Sequence, residues 1–547
     1  MKKLTCALIL LITVLSLGSC RRFLEESPYS TVAPENFFKT ASDAEMALTG
    51  VYDVLTMVSI QGQGNGDTWG RGLHYLTEVG NDELVTAANT TVDFREYGNY
   101  SYTAQTPTAG YTWIFLYAGI NRANYILERV PAIPMDETRK KQILGEASFL
   151  RGQYYFYLGW LWGGVPIVTT SQAPLDAPRS PITDVMRIAE ADFKLAYESL
   201  PARNTKPGRV DKYTAAGFLA KLYLYLGSCK EYQVGEAPGF PLNSFASVNQ
   251  ADMYHKVEEI CADIYTNSQY TLLRPYRNLF FASTEADARA EKMMLAQVGP
   301  GGSSEYLFAS NLSGPKGNAS LVGGGYGFMT PLKEIYDKYN TNDGRMAHNL
   351  TGSIAANPPF EMINGEKYFT PGTYSTSTFS NLSLGKFRQS DPAARLAKGI
   401  PAWASETDFG ILRYADVLLM YAEAKFKNGD EAGARQLFRE LRLRAVADDA
   451  TKLNVITTAY RKTDFMQELL DERSRELCGE GWRRFDLIRT GQLANVIASL
   501  KTTGAVPNTS LVPEVKANFA DYKIWYPIPA HEIDLNHNLV QNPGYPR

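Results

Sequence analysis

Histidine and cysteine are scarce in this chain, with five of each among 547 residues. Metal centres and acid–base catalysis draw heavily on these residue types. His531-Glu532 is followed by a second histidine only at His537, whereas a zinc-binding helix needs its histidines four residues apart. We therefore expect no metal centre and no cofactor.

The cysteines do not form a disulfide framework. Cys6 and Cys20 lie in or beside an N-terminal apolar segment, which leaves the odd set of Cys229, Cys261 and Cys478. One pair among these three is compatible with an oxidising compartment, and the sequence does not say which pair. Buried free thiols are the favoured prediction.

Motifs of enzymes and of nucleic-acid-binding proteins are also missing. The sequence has no G-x-S-x-G elbow, and the glycine run Gly323–Gly327 lacks the lysine and hydroxyl of a phosphate-binding loop. Formal net charge is -3, so there is no basic field for nucleic acid. Carboxylates are plentiful, and a pair arranged for glycoside hydrolysis stays an alternative because its spacing is three-dimensional. The leading expectation is that the protein is not an enzyme.

One long apolar run is present, at the N-terminus. Lys2 and Lys3 precede the apolar segment Leu4–Leu17, and Gly18-Ser19-Cys20 closes it. Small residues directly before a cysteine are typical of a bacterial lipoprotein signal. Residues 1–19 are then cleaved and Cys20 carries acyl chains. The alternative is an ordinary secretory signal in which Cys20 is incidental. Beyond Cys20 there is no second run long enough to span a bilayer, so we expect a soluble remainder outside the inner membrane.

Helical periodicity recurs along the chain. One apolar stripe runs from Ala147 to Leu161 and another from Ala215 to Leu226. The clearest unit is 416–445, where Gly429 ends one helix and Asp430 caps the next. This helical hairpin is similar to a tetratricopeptide repeat. Long Gly-, Ser- and Asn-rich stretches at 61–99, 299–327 and 349–383 predict loops, and loops of this length are uncommon unless they bind something.

An ordered series of motifs extends over almost the whole chain. Those near the N-terminus are Phe23-Leu24, Pro28, Asn36-Phe37-Phe38-Lys39-Thr40, Asp43-Ala44-Glu45, Ala47-Leu48 and Gly50-Val51-Tyr52. Those in the middle are Trp113, Leu116-Tyr117, Ile120-Asn121-Arg122-Ala123-Asn124, Gly145-Glu146-Ala147, Phe149-Leu150-Arg151 and Gly163-Gly164-Val165-Pro166. The most specific set is C-terminal: Leu412–Ala424, Glu472-Arg473, Glu476-Leu477, Gly481–Leu487, Tyr526-Pro527-Ile528-Pro529 and Gln541-Asn542-Pro543-Gly544-Tyr545.

In this series the chain resembles the SusD/RagB family of outer-membrane nutrient-binding lipoproteins. The resemblance implies a mainly α fold with about four tetratricopeptide-like helix pairs and long irregular loop insertions. It implies a single domain over 20–547, with an N-terminal part of about 20–230 and a C-terminal part of about 260–547. It also implies display on the outer membrane and a partner, a SusC-like TonB-dependent transporter, over which the protein acts as a hinged lid. We interpret the charges around Arg483, Arg484, Asp486 and Arg489 as a structural network.

Ligand residues do not follow from the family motifs, because they lie in variable loops. Sugar rings stack on aromatic planes, and sugar hydroxyls need polar partners. Trp69, flanked by glycines, is the leading ligand-binding candidate. The other predicted ligand residues are Arg71, Tyr75, Asn81, Asp82, Tyr306 and Tyr326.

The predicted function is therefore binding of a nutrient glycan and its delivery to the transporter. Three alternatives stay open from the residues alone: the same architecture binding peptides, a surface glycoside hydrolase, and a helical scaffold that holds other envelope proteins.

Overall fold

Helices make up most of the described part of the protein. The computed structural model describes residues 37–57, 68–69, 71–88, 90–236, 240–298, 327–355, 359–400 and 407–546. Within these ranges there are 20 α-helices. The first eight are α1 (Ala41–Asp53), α2 (Gly72–Glu78), α3 (Val92–Gly98), α4 (Pro107–Arg129), α5 (Glu137–Trp162), α6 (Ile182–Ser199), α7 (Lys212–Glu231) and α8 (Gln250–Asn267). The other twelve are α9 (Glu285–Ala288), α10 (Lys333–Asp337), α11 (Gly344–Asn349), α12 (Pro392–Ala397), α13 (Tyr414–Lys427), α14 (Glu431–Ala445), α15 (Ala450–Tyr460), α16 (Phe465–Leu477), α17 (Arg483–Arg489), α18 (Leu493–Ser499), α19 (Val506–Asn518) and α20 (Ala530–Leu535).

Consecutive helices from α4 to α8 pack on one another, and α8 packs on α13. Glycines allow the close approaches. A Cβ atom at Gly119 of α4 would lie 2.4 Å from the Tyr154 ring of α5, and one at Gly159 would lie 2.5 Å from Met186 of α6. The predicted stripe on α5 is buried, but so is every other side of this helix from Gly152 to Trp162. The C-terminal half of α5 is therefore a fully buried core helix and not an amphipathic one.

The predicted hairpin at 416–445 is confirmed as α13 and α14, which pack together. Gly429 has φ +96°, and the Asp430 side chain accepts a hydrogen bond of 2.8 Å from the backbone N–H of Gly433. Ala422 and Ala434 are fully buried. Small side chains at the contact let the two helices approach closely, as the sequence predicts.

Strands are short and occur in four two-stranded antiparallel sheets within the described ranges. They are β1 (Leu84–Thr86), β2 (Lys292–Ala296), β3 (Met329–Pro331), β4 (Leu350–Thr351), β5 (Phe360–Ile363), β6 (Glu366–Phe369), β7 (Ser383–Leu384) and β8 (Phe409–Arg413). The sheets pair β1 with β3, β2 with β8, β4 with β7 and β5 with β6. The stretch 349–383 thus contains a β5–β6 hairpin that the loop prediction missed. Its turn is Asn364-Gly365, with φ +47° and +83°, which suits a two-residue hairpin turn.

The predicted charge network is confirmed and is more extensive than the sequence indicates. Glu476 pairs with Arg413, Arg444 and Arg345, and all four side chains are at most 1% exposed. Further buried ion pairs are Arg345–Glu472, Arg413–Glu291, Lys386–Glu480, Lys221–Asp416, Arg473–Asp486 and Arg489–Glu423. Because each buried charge has an opposite partner, this network holds the C-terminal helices to the core.

Cys229, Cys261 and Cys478 are free and buried.

The C-terminal tail packs against the body, as predicted: the backbone N–H of Tyr526 donates to the Leu161 carbonyl, and the Asn542 amide donates to the Trp162 carbonyl. None of the helices in the described ranges combines the length and apolar character needed to cross a membrane.

Candidate functional site

Two of the predicted loops meet at one place. Strand β1 lies within the first of them, 61–99, and strand β3 follows the second, 299–327; the two strands pair with Thr86 opposite Met329. Beyond the ladder, the backbone N–H of Ala87 and the Thr90 hydroxyl both donate to the Phe328 carbonyl. The segment after Asp82 therefore lies beside the segment after Tyr326, although some 240 residues separate them in the chain.

A groove of about 410 Å³ opens at this junction, and we call it the loop groove. Its described lining residues are Gly327, Met329, Thr330, Ser353, Ile354, Ser380, Asn381, Leu382 and Ser383. Met329 and Leu382 are buried and form an apolar floor, while Ser380 and Asn381 are exposed at its edge. An apolar floor with hydroxyl and amide groups at the rim suits a ligand that has both apolar faces and hydroxyls.

A turn rich in serine and threonine, residues 375–380, reaches the loop groove at Ser380. Thr378 Oγ1 lies 3.0 Å from Ser375 Oγ and 3.2 Å from Ser380 Oγ, and Ser375 Oγ lies 3.0 Å from Ser377 Oγ. The turn is fixed from outside by the backbone N–H of Val506, which donates to the Thr378 carbonyl. A hydroxyl both donates and accepts hydrogen bonds, so this turn presents an adaptable polar edge.

Three aromatic rings pack on one another at that turn, and none of them is among the described lining residues of the loop groove. Phe379 has φ +55°, and its buried ring lies 4.8 Å from the Tyr336 ring and 6.3 Å from the Tyr374 ring, the latter stacked. Tyr336 and Tyr374 are only half-buried. Aromatic planes beside hydroxyl groups are the two elements that carbohydrate recognition combines.

A second and larger cleft of about 520 Å³ has a different character, and we call it the charged cleft. Four acidic and four basic side chains line it: Asp82, Glu334, Asp337, Asp471, Lys338, Lys462, Arg475 and Lys501. Its tyrosines are largely covered, since Tyr339 is 9% and Tyr460 is 5% exposed. With few open aromatic faces, this cleft is the weaker candidate.

The structure places Trp69, the leading ligand-binding candidate, inside the core. Trp69 is 0% exposed, with its ring 5.0 Å from Phe409 and 5.6 Å from Tyr157. Tyr75 is likewise 0% exposed and stacks on Phe94 at 4.2 Å. Both rings fill the core, so no ligand can reach their faces in this structure.

Asn81 and Asp82 have structural partners. Asn81 is fully buried and its side-chain oxygen accepts a hydrogen bond of 2.8 Å from the backbone N–H of Glu83. Asp82 pairs with Arg483 at 2.7 Å and with Lys338 at 2.6 Å. Burial by itself would raise the pKa of Asp82, but these two cations outweigh burial and hold that pKa well below its usual range. Asp82 lines the charged cleft and not the loop groove.

Arg71 is half-buried, with its guanidinium carbon 5.1 Å from the centre of the Phe94 ring, and its ligand role stays a prediction. Tyr306, Tyr326 and the lipidation candidate Cys20 lie outside the described residues. Within the described ranges, no three His, Cys, Asp or Glu side chains are grouped closely enough to hold a metal ion.

Tyr374, Ser380 and Asn381 are not among the ligand residues that the sequence predicts. All three lie in the stretch 349–383, which was predicted as a loop but supplied no candidate residue. The available signal was composition, because residues 375–380 read Ser-Thr-Ser-Thr-Phe-Ser. A hydroxyl-rich turn next to aromatic residues indicates a candidate ligand-binding segment as much as a glycine-rich loop does.

Stacked helix pairs with a loop-lined groove define a mainly helical protein with a candidate binding site. The chain belongs to the SusD/RagB family. Residues 370–545 match the SusD family, and residues 22–224 match a family described as starch-binding and associating with the outer membrane. SusD-family proteins are non-catalytic binding proteins, which confirms the expectation of no enzyme and sets aside the hydrolase alternative.

Known proteins are similar to this chain over nearly its full length. SusD-like protein P25 of Formosa agariphila is 26% identical over 99% of this chain and 100% of its own. Starch-binding protein SusD of Bacteroides thetaiotaomicron is 24% identical over 98% of each chain. The crystal structure of a SusD homolog from Bacteroides thetaiotaomicron has a TM-score of 0.71 and 21% identity, covering 94% of this chain and 98% of that one. This last likeness confirms the predicted fold.

Proposed function

We propose that the protein is a surface lipoprotein that binds a nutrient glycan and delivers it to a SusC-like TonB-dependent transporter, for which it acts as a lid. The observation that carries the proposal is the loop groove, where buried apolar side chains lie beside hydroxyl and amide groups, and where the adjoining turn carries half-buried tyrosines. Family membership supports it, because the family is glycan-binding and associated with the outer membrane. Ligand held in the groove would be enclosed when the lid closes on the transporter.

We also propose a single domain over 20–547. Ion pairs join its two parts: Lys221 of α7 pairs with Asp416 of α13 at 2.5 Å, and Asp82 pairs with Arg483 of α17 at 2.7 Å. A Lys221 side chain that is 0% exposed cannot lose this partner without a large free-energy cost. The two parts are therefore expected to unfold in one transition.

The direct test is a calorimetric screen of the protein with Cys20 replaced and residues 1–19 removed, against polysaccharides, oligosaccharides and peptides. Glycan binding without product formation is the expected result. If only peptides bind, the ligand is a peptide and the glycan part of the proposal is wrong. Turnover of any substrate would contradict the proposal.

Tyr374→Ala is expected to weaken glycan binding by about 1–2 kcal/mol, roughly five- to thirtyfold in Kd, because it removes a half-buried ring that stacks on Phe379, next in the chain to the groove residue Ser380. Titration calorimetry measures the change, and a melting curve checks that the variant is folded. The matched control is Tyr265→Ala on α8, which removes a tyrosine that is 42% exposed and whose partners are Tyr421 and Glu440 instead of the turn at 375–380. Equal losses in the two variants would place the binding site elsewhere.

Cys20→Ala, with the signal retained, is expected to abolish glycan uptake by cells while leaving binding in solution unchanged. Acyl chains would hold the lid beside its transporter, and without them the protein would diffuse away. Uptake of a labelled oligosaccharide measures the effect in a strain that lacks the native copy. Normal uptake by this variant would refute the anchor's role in transport.

A further inference from the structure

The charge of the groove lining limits the ligands that it can hold. The described lining side chains are hydroxyls, one amide and apolar groups, and none of them is ionised. An anionic sugar brought into this groove would lose hydration without gaining a cationic partner there, which is costly. We infer that the protein selects neutral glycans over glycans that carry carboxylate or sulfate groups. This inference rests on the proposed glycan-binding function.

The charged cleft does not offer an alternative site for anionic glycans, because carboxylates already neutralise its cations. Lys338 pairs with Asp82 at 2.6 Å and Arg475 with Glu472 at 2.8 Å. Lys462 pairs with Asp471, and Lys501 lies 3.8 Å from Asp337. Acidic and basic side chains are equal in number in the lining. An incoming anion would have to displace a carboxylate from each cation, and the exchange brings no net gain in charge pairing.

The net charge of the whole chain also disfavours the binding of anionic glycans. Formal net charge is -3 and becomes -5 without the predicted signal, because Lys2 and Lys3 are removed. A net negative protein repels polyanions at long range and slows their association. Recognition by hydroxyls and rings, in contrast, does not depend on screening by salt. Binding of a neutral glycan is therefore expected to change less than twofold between about 50 and 500 mM salt, a range over which the screening length falls several-fold.

The test uses chemically matched probes on the protein with Cys20 replaced. The best neutral oligosaccharide from the screen is compared with its own sulfated derivative of the same length, each at low and high salt. We expect the sulfated probe to bind at least tenfold more weakly. Tighter binding of the sulfated probe, weakening steeply with salt, would overturn the inference but leave glycan binding intact. Binding of neither probe, nor of any other glycan in the screen, would overturn the proposed function itself.

A charge placed in the groove gives an independent check. Asn381 is exposed at the groove rim, so Asn381→Lys puts a cation there without disturbing the core. The variant is expected to gain at least fivefold in affinity for the sulfated probe, and high salt should remove the gain. Asn267→Lys on α8 is the control, since it adds the same charge at an exposed site outside the groove lining. An equal gain in the control would contradict selection by the groove.

Discussion

Replacing Glu476 by glutamine is expected to lower the free energy of unfolding by about 3–5 kcal/mol, the scale for breaking a buried ion pair. The Glu476 carboxylate is 0% exposed and lies 3.0 Å from Arg345, 3.1 Å from Arg413 and 2.5 Å from Arg444. Glutamine keeps the shape but not the charge, so three buried guanidinium groups lose a shared counter-ion. Chemical denaturation measures the loss.

The control for this variant is Glu137→Gln. Glu137 is also in a helix and pairs with Lys140 at 2.7 Å, but its side chain is 81% exposed. Surface pairs contribute little, and we expect a change within about 0.5 kcal/mol. Similar losses in the two variants would show that the buried network does not stabilise the fold.

Acid should reduce the difference in the free energy of unfolding between the wild-type protein and the Glu476→Gln variant. Burial alone would raise the pKa of Glu476, but Arg444, Arg413 and Arg345 outweigh burial and hold that pKa well below its usual range. In the unfolded chain a glutamate titrates at about pH 4.3. The stabilising effect of Glu476 is therefore complete above that pH and declines as the pH falls further, because the unfolded state then takes up a proton that the folded state does not.

Trp69→Ala is expected to cost about 3–5 kcal/mol of stability while leaving the glycan affinity of the folded protein unchanged. The ring fills a fully buried site against Phe409 and Tyr157. A Cβ atom at Gly481, where φ is +82°, would lie only 3.0 Å from the indole ring. Truncation would leave a cavity that this tightly packed region cannot close, and melting curves would detect the loss.

Trp69→Phe is the matched variant for this test, since it keeps an aromatic ring in the site and should lose less stability than the alanine variant. Glycan affinity is measured for all three proteins at a temperature where each is folded. A tenfold weaker affinity in Trp69→Ala, with an unchanged melting temperature, would restore Trp69 as a ligand-stacking residue. A lower melting temperature with unchanged glycan affinity would establish that Trp69 fills the core.

Local sequence patterns predicted local structure well. The α13–α14 hairpin follows from apolar spacing, from the positive φ of Gly429 and from the cap at Asp430, all of which act over a few residues. Asn364-Gly365 carried an equally local hairpin signal, which the loop prediction overlooked. The motif series likewise identified the family, because helix-packing and charge-network residues recur at fixed places in order.

The candidate site was predicted less well, because burial is not a local property. Trp69 lies in a glycine-rich segment that indicates a loop, yet its ring is covered by Tyr157 and Phe409, far away in the chain. Asp82 forms ion pairs with Lys338 and Arg483, which are also far away in the chain. Nothing near residues 69–82 in the sequence indicates these distant partners.

By itself, the sequence determined the mainly helical class, the family and the structural nature of the charged C-terminal helices, since periodicity, capping and motif order are encoded over short stretches. Only the tertiary structure decided which aromatic and polar residues of the loops face solvent. It buried Trp69 and Tyr75, left Asn381 exposed in the groove lining, and left Tyr374 half-buried on the adjoining turn. The physical reason is that a side chain's exposure depends on contacts between segments that are separate in the chain, up to hundreds of residues apart, and these contacts form only when the helices have packed.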